Sequence, residues 1–286
     1  MPDATKYTNK LHGARVLVIG GSSGTLTPSK NPQPHKNRRV TNHKNKGIGF
    51  GVAEALLEHG SHVFISSSNP DRVTSTIEKL LKDYPSAKER VQGFPCQLGE
   101  QASLDGNVKK LFENVTKEGK LDHVVFTAGD SLAMMNVADA EMEKILQAGM
   151  VRFFAPLMVA KHAPAYMNPG PKSSLVLTTG SVSERPRPDW TIVNSFATGL
   201  QGMTRGLALD LKPLRVNLIS PGVVDTELWG GMSEEQKKKL FEESAAKLPT
   251  GRVPSPSDVA EVYLACLKDQ NMTGSMISTN GGALLV

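Results

Sequence analysis

The stretch RVLVIGGSSG at residues 15–24, resumed by IGFGVAEALLEHG at residues 48–60, decides the fold of this chain. Residues 15–20 are a short apolar, β-branched run closed by glycine, which predicts a buried strand. The second stretch repeats apolar residues at helical spacing until Gly60, which predicts a helix. Glycines between a first strand and a first helix are typical of a turn whose backbone amides bind a pyrophosphate. A plain glycine-rich turn is the alternative.

The same alternation of strand and helix continues along the chain. Further strand patterns fall at residues 62–67, 91–96, 122–127, 174–179, 214–220 and 275–279. Helix patterns begin at residue 70 and fall at 104–117, 139–166, 193–211 and 256–268. Most of the strands are apolar throughout, which is typical of a parallel sheet covered on both faces. The sequence predicts one doubly wound α/β domain over residues 1–286, with about seven parallel strands.

The composition argues against several other classes of protein. Aromatic residues make up 5% of the chain, too few to interleave with the bases of single-stranded nucleic acid. Cys96 and Cys266 are far apart and lack metal-ligand spacing, which excludes a disulfide scaffold and a zinc module. No apolar stretch is long enough to cross a bilayer, and the charged N-terminal residues lack a signal core. We expect a cytoplasmic protein with neither a membrane nor a nucleic-acid partner.

The net charge of +5 comes from one segment, residues 25–47. This segment holds six lysines and arginines and no acid, which leaves 27 of the 33 basic residues against 28 acidic ones elsewhere. It has three prolines and only two large aliphatic residues. Because it buries too little apolar surface to offset the entropy of ordering, we expect a disordered insertion. A basic arm that contacts phosphates is the alternative.

With residues 25–47 set aside, the glycine turn reads GGSSGIGFG, and the chain resembles the short-chain dehydrogenase/reductase family. Matching segments follow in order: TAG at 127–129, TTGS at 178–181, the run at 202–217, PGVVDT at 221–226 and the pattern from 251 to 282. The overall pattern is most similar to fungal secondary-metabolite members. The resemblance implies a Rossmann-type fold and an NAD(P)(H)-dependent oxidoreductase acting on a carbonyl or alcohol of a small hydrophobic metabolite. It also implies a homodimer or homotetramer packed through the helices at 139–166 and 193–211.

The resemblance assigns one set of residues to the cofactor. These residues are Gly20, Ser22, Ser23, Gly24, Ile48, Gly49, Ser67, Asn69, Arg72, Ala128, Gly129, Pro221, Gly222, Val224 and Thr226. NAD-specific members carry an acid at the end of the second strand, where this chain has SSSN at 66–69. Since no carboxylate would repel a 2′-phosphate there and Arg72 can bind one, NADP(H) is modestly favoured over NAD(H).

The catalytic positions depart from the family pattern. The family has a Tyr-x-x-x-Lys pair on the helix after its serine, and here Val193 and Ala197 stand at those two positions. Ser181 remains, either donating to a substrate carbonyl or capping a local turn. Arg152 replaces the helix asparagine and either stabilises a developing oxyanion or pairs with a carboxylate. A degenerate member that only binds a nucleotide or another ligand is the alternative function.

Residues 227–250 stand where the family has its substrate lid. Leu228, Trp229 and Met232 alternate with charged residues at roughly helical spacing. This pattern favours a hydrophobic ligand beneath the lid, or a surface helix that covers the core.

Residues 25–47 also fit a retained intron translated in frame. Their 23 codons make 69 nucleotides, and the residues permit codons for a donor, a branch point and an acceptor. Removing them restores one uninterrupted glycine turn. A genuine loop insertion is the alternative.

Overall fold

Seven parallel strands form one sheet in a computed structural model that describes residues 5–21 and 47–286. The strands are β1 Arg15–Ile19, β2 His62–Ser67, β3 Val91–Pro95, β4 His123–Phe126, β5 Ser174–Thr178, β6 Arg215–Pro221 and β7 Met276–Thr279. Their order is β3-β2-β1-β4-β5-β6-β7. The predicted doubly wound α/β class is therefore confirmed. Ser22, Ser23, Gly24 and the expected insertion up to residue 46 lie outside the described residues.

Helices cover both faces of this sheet. They are α1 Ile48–Glu58, α2 Pro70–Asp83, α3 Gln101–Val115, α4 Met142–Gly149, α5 Ala155–Tyr166, α6 Thr191–Asp210, α7 Glu234–Lys247 and α8 Pro256–Lys268. One apolar core lies under α1, α2 and α8, and the other under α3, α5 and α6. None of the helices in the described ranges has both the length and the apolar composition needed to cross a bilayer.

Two predicted helix starts are confirmed by their caps. The Asn69 side chain accepts hydrogen bonds from the backbone N–H groups of Asp71 and Arg72, at 2.8 and 3.1 Å, and Pro70 follows it. Ser255 and Asp258 form a reciprocal capping box at the start of α8. The Asn69 cap supplies a partner to first-turn N–H groups that have none within the helix, and at α8 the Asp258 carboxylate accepts from the backbone N–H of Ser255 at 2.7 Å.

The single helix predicted over residues 139–166 is wrong in its middle. α4 ends at Gly149, a π-helical turn spans Met150–Phe154, and α5 follows. A Cβ at position 149 would lie 2.6 Å from the Phe196 ring, so α4 and α6 approach closely at this point. Such π-helical turns occur frequently at functional sites. Here the turn contains Arg152.

The lid segment is also divided rather than one helix. A 3₁₀ turn at Glu227–Trp229 comes first, and α7 begins only after the Ser233 cap. Thr226 starts the turn, since its hydroxyl accepts from the N–H of Leu228 at 3.4 Å. The indole N–H of Trp229 donates to the Val224 carbonyl at 3.0 Å and fixes the turn to the end of β6.

The two halves of the glycine turn meet although residues 22–46 separate them in sequence. A Cβ at position 49 would lie 2.7 Å from the Gly20 carbonyl oxygen and 2.8 Å from the Gly21 Cα. Gly20 has a φ of 90°, which an L side chain rarely adopts. The start of α1 therefore rests directly on the end of β1, as an uninterrupted turn requires.

We expect that deleting residues 25–47 leaves the fold intact and tightens dinucleotide binding. Because the ends already meet, closing the longer loop costs only about 2 kcal/mol of entropy. The measurement is NADPH titration, with circular dichroism as the check on folding. A chain in which 25–47 is replaced by a Gly/Ser segment of equal length separates the effect of loop length from that of sequence. Equal NADPH affinity in all three chains would show that the segment does not affect the glycine turn.

Candidate active site

A cavity of about 180 Å³ lies at the carboxyl edge of the sheet and is called the inner chamber here. Its floor is formed by the ends of β5 and β6 and by the first residues of the loop after β4. Its walls are α6 and the lid turn. Of the residues singled out from sequence, it is lined by Ile48, Ala128, Arg152, Ser181, Val193, Ala197, Pro221, Gly222, Val224 and Thr226. In doubly wound folds this edge is where ligands bind.

The other predicted cofactor residues lie outside this chamber. Gly20 and Gly49 meet at the β1–α1 turn, and Gly129 follows β4. Gly47, at the N-cap of α1, supplies no side-chain hydrogen bond to the first turn. First-turn N–H groups without a side-chain cap suit a phosphate. The arrangement therefore fits the pyrophosphate of a dinucleotide.

The end of β2 has the polar groups expected at the adenosine end of the cofactor. Arg72 Nε and Ser66 Oγ are buried and have no hydrogen-bond partner in the described part of the chain. Ser67 ends β2 beside them. Asn69 differs from the expectation in one respect, because its side-chain oxygen is already used as the cap of α2.

Ser181 lies at the end of β5 with its hydroxyl available. It begins a 3₁₀ turn, Ser181–Ser183. The residue before this turn is Gly180, which has no side chain to cap it. The turn is closed by backbone bonds, such as Ser183 N–H to the Gly180 carbonyl at 2.8 Å. Among the described residues the Ser181 hydroxyl has no partner and lines the inner chamber. This geometry favours the substrate-facing interpretation over the local cap.

Val193 and Ala197 lie one helical turn apart on the chamber side of α6. The two positions at which the family has its tyrosine and lysine therefore face the cavity in this chain. Val193 is buried, and Phe196 and Leu200 extend the same apolar wall. No group on this wall can transfer a proton.

Arg152 pairs with Asp130 beside the chamber. Its Nε lies 3.1 Å from Asp130 Oδ1, and its Nη2 donates to the Asp130 carbonyl oxygen. Burial lowers the pKa of Arg152 and raises the pKa of Asp130, whereas their attraction opposes both shifts. A Cβ at Gly129 would lie 2.9 Å from the guanidinium, so the glycine leaves room for it. Of the two alternatives that the sequence left open for Arg152, the ion pair with a carboxylate is present. Arg152 also lines the chamber.

Sequence reasoning missed Arg187, Trp190 and Phe196, which also line the chamber. The guanidinium of Arg187 lies 5.4 Å from the centroid of the Trp190 ring. Asp189, between them, has a φ of 61°, unique among the described non-glycine residues. Non-glycine residues held in this region cluster at functional sites. The only sequence signal was the proline-rich RPRPDW run that follows Ser181.

Comparison with known proteins agrees with the fold. A family model described as an SDR-like Rossmann domain matches residues 40–286. The chain is 43% identical to short-chain dehydrogenase/reductase fsr5 of Gibberella fujikuroi and 36% identical to malC of Malbranchea aurantiaca, over all of each chain. The solved MalC reductase/Diels-Alderase from M. aurantiaca superposes with a TM-score of 0.85 at 35% identity, covering 98% of this chain and 100% of that one.

This protein belongs to the short-chain dehydrogenase/reductase family. It is thus an enzyme of the oxidoreductase class, and its relatives include fungal members, as the sequence pattern predicted.

We expect Arg152→Met to destabilise the protein in a pH-dependent way. The change leaves the Asp130 carboxylate partly buried without its cation, and burial already raises the pKa of Asp130. Because both side chains retain some exposure, 26% and 32%, solvent screening limits the loss to about 1 kcal/mol at pH 7. An acid whose folded-state pKa is raised destabilises the fold above that pKa, so the loss should shrink as the pH falls through it.

Urea unfolding at pH 7 and pH 5 measures this effect. The matched control is the double variant Arg152→Met/Asp130→Asn, which removes both charges and should recover stability without the pH dependence. An Arg152→Met variant as stable as the wild type at pH 7 would show that the pair contributes nothing.

Proposed function

We propose that this enzyme is an NADP(H)-dependent reductase or dehydrogenase. It acts on a carbonyl or alcohol group of a small hydrophobic metabolite, in cytoplasmic secondary-metabolite biosynthesis. One observation carries the proposal: the free hydroxyl of Ser181 and the Arg152 guanidinium face the same apolar chamber as the loop 221–226. Polar groups aimed into an otherwise apolar cavity at a sheet's carboxyl edge are typical of a substrate site.

The proposed cofactor positions divide along the sheet edge. Gly20, Gly49 and the first turn of α1 would hold the pyrophosphate, and Ser67, Asn69 and Arg72 would hold the adenosine end. Ile48, Ala128, Gly129 and the loop from Pro221 to Thr226 would hold the nicotinamide end, which lies at the inner chamber. When bound, the nicotinamide supplies or accepts a hydride. The fold is shared with a dehydrogenase solved in complex with NADPH, at 24% identity and a TM-score of 0.72.

The residues of this chain then orient the substrate rather than transfer its proton. Ser181 donates a hydrogen bond to the substrate oxygen, and Arg152 stabilises negative charge that develops there. Since Val193 and Ala197 carry no titratable group, acid–base assistance, about 10²–10⁴-fold in other enzymes, is missing from α6. Orientation by Ser181 and Arg152 remains, and the proton that the substrate oxygen gains or loses would be exchanged with water, so we expect slow turnover rather than none.

A second candidate is a nucleotide- or ligand-binding protein without turnover. The apolar wall formed by Val193 and Ala197 is the observation that favours it. The two candidates differ in whether NADPH is consumed with a panel of hydrophobic ketones.

We also propose that the chain forms a dimer or tetramer through α4, α5 and α6. Met142 and Leu209 on these helices are 70% and 72% exposed, and Leu146 and Leu157 are also exposed. These large apolar side chains exposed on neighbouring helices support the proposed association face.

We expect Ser181→Ala to lower the rate of ketone reduction about tenfold or more, because it removes the donor to the substrate oxygen. Nucleotide affinity should hardly change, since the hydroxyl faces the substrate side. The control is Ser195→Ala, whose hydroxyl lies on the exposed face of α6 and bonds to the Thr191 carbonyl. Stopped-flow or steady-state NADPH oxidation measures both variants. An unaltered rate in Ser181→Ala would shift the role to Arg152.

We expect NADPH to bind at least as tightly as NADH. Arg72→Ala should weaken NADPH binding about tenfold and NADH binding little, because only NADPH places a phosphate near Arg72. Lys82→Ala, in the last turn of the same helix, is the matched control. Fluorescence titration of both nucleotides checks the preference, and a clear NADH preference in wild type and Arg72→Ala alike would contradict it.

A further inference from the structure

The inner chamber adjoins a second cavity of about 560 Å³, called the outer chamber here. Ser181, Arg187 and Val223 line both chambers, so the two share a wall. The remaining walls of the outer chamber come from the loop after β5, from α7 and from residues 283–286. The sequence pattern placed a hydrophobic ligand beneath the lid segment 227–250, which includes α7, but it did not indicate what chemical groups that ligand carries.

The inner chamber by itself is smaller than a typical substrate site. Its 180 Å³ is below the size of typical ligand pockets, about 300–1,000 Å³. Part of its lining, such as Ile48, Pro221 and Gly222, belongs to the proposed nicotinamide position. A substrate larger than the inner chamber has space next to it, because the outer chamber, which shares Ser181, Arg187 and Val223 with it, is within the usual size range.

The outer chamber carries an excess of positive charge. Arg185, Arg187 and Lys247 line it, against the carboxylates of Glu243 and of Val286, the last residue of the sequence. Glu243 lies 3.9 Å from Lys239 on its own helix. Arg185 donates to the Ala283 carbonyl at 2.9 Å and so holds the wall in place.

Two of these cations face the chamber without an anionic partner in the described part of the chain. Arg187 is exposed beside the Trp190 ring, and its guanidinium N–H groups donate to no side chain or carbonyl among the described residues. Lys247, in the last turn of α7, lies in no ion pair among the described residues. Unpaired cations beside an apolar cavity favour an anion of the ligand.

We propose that the substrate is an elongated hydrophobic molecule that carries an acidic group, such as a carboxylate. The reacting carbon lies in the inner chamber, lined by Trp190, Phe196 and Trp229, and the acidic group binds Arg187 and Lys247 in the outer chamber. This assignment rests on the proposed function, because it takes the inner chamber as the site of reaction.

Two matched probes test the proposal. 8-Anilinonaphthalene-1-sulfonate and N-phenyl-1-naphthylamine share one aromatic body, and only the first carries an anion. Both tryptophans of the chain, Trp190 and Trp229, line the inner chamber, so energy transfer from tryptophan detects bound probe, and the variants below test whether the outer chamber holds its anion. The proteins are the full chain, Arg187→Gln/Lys247→Gln, and the control Lys238→Gln on α7, whose side chain is 75% exposed outside the chamber.

We expect the double variant to weaken binding of the sulfonate about tenfold and to leave binding of the uncharged probe nearly unchanged. The control should match the wild type with both probes. A second variant, Arg187→Lys/Lys247→Arg, keeps both charges and should retain sulfonate binding. The proposal is overturned if the wild type and Arg187→Gln/Lys247→Gln bind the sulfonate equally well. It is also overturned if this double variant loses affinity for both probes to the same extent. A wild type that binds neither probe overturns it as well.

Titration with NADPH separates this proposal from the proposed function. If the wild type and both double variants bind NADPH alike while the sulfonate does not respond, the acidic-substrate assignment fails and the oxidoreductase proposal stands. A wild type that does not bind NADPH contradicts the oxidoreductase proposal directly.

Discussion

The close approach of α1 to the end of β1 is the constraint on which the rest of the structure depends. Gly49 lies against the main chain of Gly20 and Gly21, and a side chain on it would clash with backbone atoms. On the opposite side of α1, a Cβ at Gly51 would lie 2.9 Å from the main chain of Pro256 at the start of α8. α1 is thus held between β1 and α8 with no space for side chains at either contact. This packing points the helix N-terminus along the sheet edge where the candidate site lies.

The chemistry of the site follows from an apolar cleft with few charges. Arg152 is partly buried at this cleft and is paired with Asp130, so the two charges largely offset one another in the resting site. The π-helical turn at Met150–Phe154 places this side chain against Gly129, where a bulkier residue would not fit. Since α6 offers only Val193 and Ala197, the polar groups of the site come from the strand ends and from this turn. The proposed reaction would therefore depend on orientation and electrostatics more than on proton transfer from α6.

Much of the fold was readable from the sequence because strand and helix patterns are local. The apolar run at β1, the cap at Asn69 and the capping box at Ser255 each lie within a few residues of the structure they produce. The π-helical turn could not be predicted from the sequence, because one additional residue in a single turn hardly alters the apolar pattern of a long helix. Arg187 and Trp190 were missed for a different reason. They lie in an irregular loop, and only the packing of that loop against α6 and the lid brings them to the chamber.

Amide hydrogen exchange of the full-length chain, with and without saturating NADPH, tests most directly whether the divided glycine turn still forms a dinucleotide site. Bound nucleotide should slow exchange at residues 17–21 and 48–52, at the end of β2, and in the loop 221–226, because these backbone segments would contact it. Protection at all of these segments together would support one continuous cofactor site across the sheet edge. Unchanged exchange at residues 17–21 and 48–52, with or without protection elsewhere, would contradict it.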